Sequence, residues 1–158
     1  PTYCGLKIDS NAFNGVNMGN VTITPNTQCS EESFELAKIE KIEIQEGVKN
    51  LYQGEFCFSK IKRVIIPSSI TKIPTKCFYG CDSLEKILIP SSVTYIEKDA
   101  FERTETYHPR CLDGTPDMRY NSHYYTVNLD VTIYCEAGSY AQEYARKNGF
   151  NCRPISEF

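Results

Sequence analysis

Aliphatic residues fall on a fixed beat along this chain. Between Ile61 and Phe101 two lines superpose: Val64 on Ile87, Ile66 on Ile89, Pro67-Ser68-Ser69 on Pro90-Ser91-Ser92, Ile70 on Val93, Ile73 on Ile96 and Phe78 on Phe101. The offset is constant (87 − 64 = 23). A repeat period in the twenties is the signature of a solenoid. Within a unit, Val64 and Ile66 alternate with Arg63 and Ile65, which predicts a short strand with 64 and 66 facing inward. Pro67 ends that strand because it has no N–H for a ladder. Ser68-Ser69 opens a turn, Ile70 and Ile73 point back to the core, and Phe78 closes the coil. One such unit cannot bury its own apolar face, but stacked units can.

The same beat runs through most of the chain. Inward strand pairs are expected at 21/23, 42/44, 64/66 and 87/89, and the register returns at Val131 and Ile133. Ile8 and Ala12-Phe13 read as the tail of an earlier coil. Ser30-Glu-Glu-Ser-Phe34 breaks the pattern. A Ser N-cap with acids in the first turn predicts one short helix there. Residues 102–128 are an insertion that replaces or decorates one coil. It is rich in Tyr, Pro, Gly and Asp, with turn signals at Asp113-Gly114 and Thr115-Pro116, and Tyr124 to Val127 predicts a strand. Residues 136–158 form a cap. Ser139-Tyr-Ala-Gln142 has a capping-box pattern, Tyr140, Ala141, Tyr144 and Ala145 line one helical face, and Gly149 suits the C′ position.

At this point the residues resemble a known family. Leu84-Glu-Lys-Ile-Leu-Ile-Pro-Ser-Ser-Val-Thr-Tyr-Ile-Glu-Lys-Asp-Ala-Phe101 is similar to the BspA-type leucine-rich repeat nearly throughout. The preceding unit departs with Cys77 at the usual Ala and with Pro74, and Thr104 stands where that unit has Cys81. The Thr132-Ile-Tyr segment and Ser139-Tyr-Ala resemble the family's C-terminal ending. The expected fold is a repeat solenoid, α/β but mostly β. It is a right-handed leucine-rich-repeat stack of about five coils with a C-terminal capping helix, in a single domain spanning 1–158.

Composition narrows the function. The net charge of −3 (17 − 20) leaves no basic footprint for nucleic acid. No apolar run reaches the roughly 20 residues of a membrane helix. A chain starting at Pro1 reads as a processed product or a fragment. Eight cysteines invite a disulfide framework, but a solenoid of this length does not need staples. Cys57, Cys77 and Cys81 read as buried small hydrophobes, and Cys135 with Cys111 or Cys152 is a candidate bridge. Asn20-Val-Thr22 is a glycosylation sequon only in a eukaryotic secretory route. His108, Cys111 and His123 in the insertion are weak metal candidates, because zinc ligands normally come in close pairs. A Cys111–His nucleophile pair has no orienting third group. No cofactor and no catalysis are therefore expected.

The open sheet face is the better site. Outward positions there include Glu43, Arg63, Ile65, Lys86, Leu88 and Thr132. Ile65 and Leu88 form an apolar centre beside the basic Arg63 and Lys86, the composition of a protein-binding surface. Alternatively, these positions are covered by the insertion or a neighbouring coil. Tyr107, Tyr120, Tyr124 and Tyr125 supply rigid amphipathic contact groups, either for a partner or to pack the insertion down. The expected function is a noncatalytic protein-binding module. The resemblance implies a cell-surface or secreted microbial protein, often an adhesin for host matrix proteins. The alternatives are a structural spacer in a larger surface protein and, third, a metal- or thiol-dependent enzyme in the insertion.

Overall fold

In a computed structural model, residues 6–107, 122–127 and 130–158 are described, with side chains at 6–102 and 130–158. The strands are β1 (Leu6–Lys7), β2 (Asn17–Ile23), β3 (Thr27–Gln28), β4 (Lys38–Ile44), β5 (Arg63–Ile65), β6 (Lys72–Ile73), β7 (Lys86–Leu88), β8 (Tyr95–Ile96), β9 (Glu102–Tyr107), β10 (Ser122–Val127), β11 (Thr132–Cys135) and β12 (Asn151–Pro154). One helix, α1 (Tyr140–Asn148), precedes β12. The chain winds through about six turns, against about five expected, and the parallel line gains a strand that the repeat did not predict, β12 after the capping helix.

One side of the solenoid is a line of parallel strands: β2 beside β4, then β5, β7, β11 and β12 in one four-stranded sheet. Val64 pairs with Ile87 as expected; past the insertion the register shifts by two, and Ile133 rather than Val131 pairs with Ile87. The direct pairing of β11 with β7 shows that the insertion decorates the stack and replaces no coil. It leaves after Phe101 as the antiparallel ribbon β9–β10. A second side carries the short pairs β1–β3 and β6–β8.

A ladder of rings fills the third corner. Phe13, Phe34, Phe56, Phe78 and Phe101 stack in sequence with centroids 5.3, 5.6, 5.5 and 5.4 Å apart and planes tilted by 12–18°. Phe34, Phe56, Phe78 and Phe101 are fully buried. Offset stacking of this kind adds about 0.5–1.5 kcal/mol per pair beyond area burial. Tyr144 of α1 and Phe150 meet Phe101 at 6.2 and 5.8 Å and close the column.

The helix expected after Ser30 does not form. Glu32 and Leu36 both have φ near +57°, which a right-handed helix cannot contain. The backbone N–H groups of Glu32, Phe34 and Leu36 instead donate to Gln53, Glu55 and Cys57 of the next turn. Ser33 Oγ accepts from Ser30 N at 2.8 Å and donates to Ser30 O at 2.6 Å. The left-handed positions recur turn by turn: Asn11, Glu32, Gly54 and Lys76 in one column, Gly15, Leu36, Phe58 and Gly80 in another. At Gly80 the φ of +65° favours glycine, and the Phe58 ring, which a Cβ would strike, excludes the side chains that Leu36 and Phe58 carry in the same column.

The cap forms as expected, with two changes. Ser139 Oγ accepts from Gln142 N at 3.3 Å, and Gly149 ends the helix with φ 78°. Gln142 Oε1, however, takes the N–H of Gly138 at 2.9 Å, one residue before the cap. Tyr140 does not join the buried face of Ala141, Tyr144 and Ala145 but lies exposed beside Tyr95.

Candidate functional site

The strand register fixes what the outer face presents. Inward Val64, Ile87 and Ile133 leave Arg63, Lys86 and Thr132 in one outward row and Ile65, Leu88 and Tyr134 in the next. Ile65 is 41% exposed, Leu88 and Thr132 are half-buried, and Glu43, Arg63 and Lys86 are exposed. The sheet is divided between β4 and β5. A groove of about 830 Å³ lies along that seam, lined by Lys41, Glu43 and Glu46 on one bank and Ile65, Leu88 and Pro90 on the other. Lys41 and Glu43 lie 3.9 Å apart. Glu46 is held by the turn above it: Ser68 N donates to Oε1 at 2.6 Å and Ser69 N to Oε2 at 3.2 Å. The Ser68 backbone bond foremost keeps that carboxyl below its ordinary range, so the rim retains a fixed negative charge.

The second half of the face is covered by the chain itself. After β12, a single 3-10 turn at Ile155–Glu157 brings Phe158 across the sheet. The Arg63 guanidinium sits 4.0 Å over the Phe158 ring and donates to the Phe158 carbonyl at 3.1 Å. Tyr134 meets the same ring edge-on at 5.0 Å and is 5% exposed. Lys86 Nζ lies 6.0 Å from the Tyr134 ring centroid. The predicted residues therefore separate. Glu43, Ile65 and Leu88 share the groove, whereas Arg63 is engaged by the tail and Lys86 faces Tyr134. Tyr134 was missed, although the period-two rule that made Thr132 outward makes Tyr134 outward too.

Of the insertion residues, Tyr120, His108 and Cys111 lie outside the described residues. In the ribbon, Tyr107 pairs with Ser122, His123 with Thr106, Tyr124 with Glu105 and Tyr125 with Thr104. Among the described residues no group of three or more His, Cys, Asp and Glu is placed to hold a metal, and no helix is long and apolar enough to cross a membrane.

A titratable cluster lies inside the stack. Glu55 is 1% exposed. Its Oε2 accepts from Tyr52 N at 2.9 Å, and burial pushes its carboxyl up to about 7. Cys29 and Cys77 interact with it, and burial raises both thiols far above their usual range. Burial likewise pushes Cys57 and Cys81 up to about 12. Cys81 Sγ is spent on the Phe56 carbonyl at 3.0 Å. Such thiols are poor nucleophiles and pack as small core residues.

A family model described as a BspA type leucine rich repeat region matches residues 6–129 in six copies. No curated protein and no solved structure matches the chain.

Proposed function

The chain belongs to the BspA-type leucine-rich repeat family, and on that premise we propose that it is a noncatalytic module that binds a protein partner through the β4–β5–β7 part of its open face. The observation that carries this reading is the groove: Ile65 stands exposed at its centre, Leu88 and Pro90 extend the apolar floor, and Lys41, Glu43 and Glu46 form a charged rim. An apolar centre with a charged rim suits a hot spot shielded from water. A repeat family of this kind, often found in microbial surface proteins and adhesins, supports an extracellular or cell-surface setting and a host matrix protein as the partner.

Surface-plasmon binding to a panel of immobilised extracellular matrix proteins tests this. Ile65→Asp with Leu88→Asp places two charges in the groove floor while leaving the inward columns intact. Saturable binding lost in the variant supports the groove as the site. Binding that survives in the variant moves the site elsewhere. No binding up to about 50 µM, where the complex would be worth less than about 6 kcal/mol, overturns the adhesive reading and leaves that of a structural spacer.

A further inference from the structure

The last two strands bring together two sulfurs that the binding reading does not use. Cys135 ends β11 and Cys152 lies within β12, the outermost strand of the sheet. The strands run parallel, with Ile133 opposite Cys152 and Cys135 opposite Pro154. Positions 133 and 135 share one side of the sheet, so Cys152 lies diagonally beside Cys135 on that side. The two Sγ atoms are 2.9 Å apart. Cys135 is buried and Cys152 exposed. Cys152 also lines a cavity of about 510 Å³ with Gly138, Ser139, Gln142 and Arg146, open to small reagents from the helix side.

We propose that Cys135 and Cys152 form a reversible dithiol–disulfide site, which exchanges with low-molecular-weight disulfides and, when oxidised, clamps β12 to the end of the solenoid. The exposed Cys152 thiolate attacks one sulfur of the small disulfide, releasing one thiol and leaving a mixed disulfide on Cys152. Cys135 then loses its proton to solvent and attacks the Cys152 sulfur. The second small thiol leaves and the Cys135–Cys152 bond forms. Two protein thiols are oxidised and one small disulfide is reduced to two thiols, so atoms and electrons balance. Burial pushes the Cys135 thiol up to about 12, which makes the second step the slow one. The bridge would tie down the strand that leads directly to Phe158 on the sheet face.

The test is a peptide map of the whole chain after incubation with oxidised glutathione, quenched by alkylation and digested with trypsin without reduction. Cys111, Cys135 and Cys152 fall on separate tryptic peptides, 111–119, 120–146 and 148–158. The expected product joins 120–146 to 148–158, reverses with dithiothreitol, and follows a transient glutathione adduct on 148–158. In the native protein this pairing should exceed any other by roughly tenfold or more, and urea should abolish the preference, because proximity is its cause. Cys152→Ser, at an exposed position, should leave Cys135 unbridged. An end point with glutathione persisting on Cys152, or with 111–119 joined to 120–146, overturns the proposal.

Discussion

Replacing Glu55 by Gln should remove a pH dependence of stability that one buried carboxyl imposes on the whole solenoid. Glu55 occupies a core position that Ser33, Cys77 and Ala100 hold in neighbouring turns, all of them fully buried. Desolvation raises its carboxyl from an ordinary 4.5 to about 7, and the Tyr52 N–H and the Cys29 thiol offset only part of that. Below about pH 4.5 the group is protonated in both the folded and the unfolded chain, and its contribution is fully present. Between about 4.5 and 7 the unfolded chain has released the proton while the fold still holds it. Stability then falls as pH rises. Above about 7 both states are ionised and the loss is complete. The gap (7 − 4.5 = 2.5), at about 1.36 kcal/mol for each factor of ten, comes to roughly 3 kcal/mol. Cys29 and Cys77 stay neutral thiols throughout this window, and His108 and His123 are common to both proteins. Urea unfolding at pH steps from about 5 to 8 measures the difference between the wild type and Glu55→Gln. The variant should gain on the wild type steadily up to about pH 7 and then hold its lead. Parallel curves across the range would refute a protonated, buried Glu55.

Two further substitutions probe the packing and the stitching of the stack. Phe56→Ala removes a fully buried ring stacked at 5.6 and 5.5 Å on its two neighbours and should cost about 3–5 kcal/mol in chemical denaturation; a loss below about 1 kcal/mol would mean that the column does not hold the turns together. Ser69 Oγ accepts from Gly47 N at 3.0 Å and donates to the Val48 carbonyl at 2.7 Å, joining adjacent turns. Ser69→Ala should therefore destabilise by about 1–3 kcal/mol, and an unchanged urea midpoint would show that water replaces both bonds.

The inward columns were legible because identical positions meet identical positions. Val64 and Ile87 could be aligned by offset alone, and their register follows that alignment; across the insertion the constant offset is lost, and Ile133 rather than the expected Val131 sits opposite Ile87. The cap was legible because Ser139 and Gly149 announce helix ends by local chemistry. Ser30 to Leu36 was misread for the converse reason. Its cap-like residues are local signals, but its backbone bonds are made to the next turn, and only the stack reveals them. Glu55 was not anticipated in the core, since a charged residue one place before a spine phenylalanine gives no sequence sign of burial. At the site, the groove and its apolar centre follow from period two along β5 and β7. The tail over Arg63 does not: Phe158 reaches that residue across β11 and β7, a contact with no periodicity to betray it.

The phenylalanine column also bears on how such a chain changes over generations. Each interior ring has the same neighbour above and below, at nearly the same spacing and tilt. Duplicating or deleting one complete winding therefore recreates a junction that already exists elsewhere in the molecule. Single-residue changes are accommodated too where they fall between the columns: successive rings from Phe13 to Phe101 are 21, 22, 22 and 23 residues apart yet stack alike. Selection can thus lengthen or shorten the module in whole windings with little new packing to perfect, while one-residue changes are absorbed in the turns that join the columns.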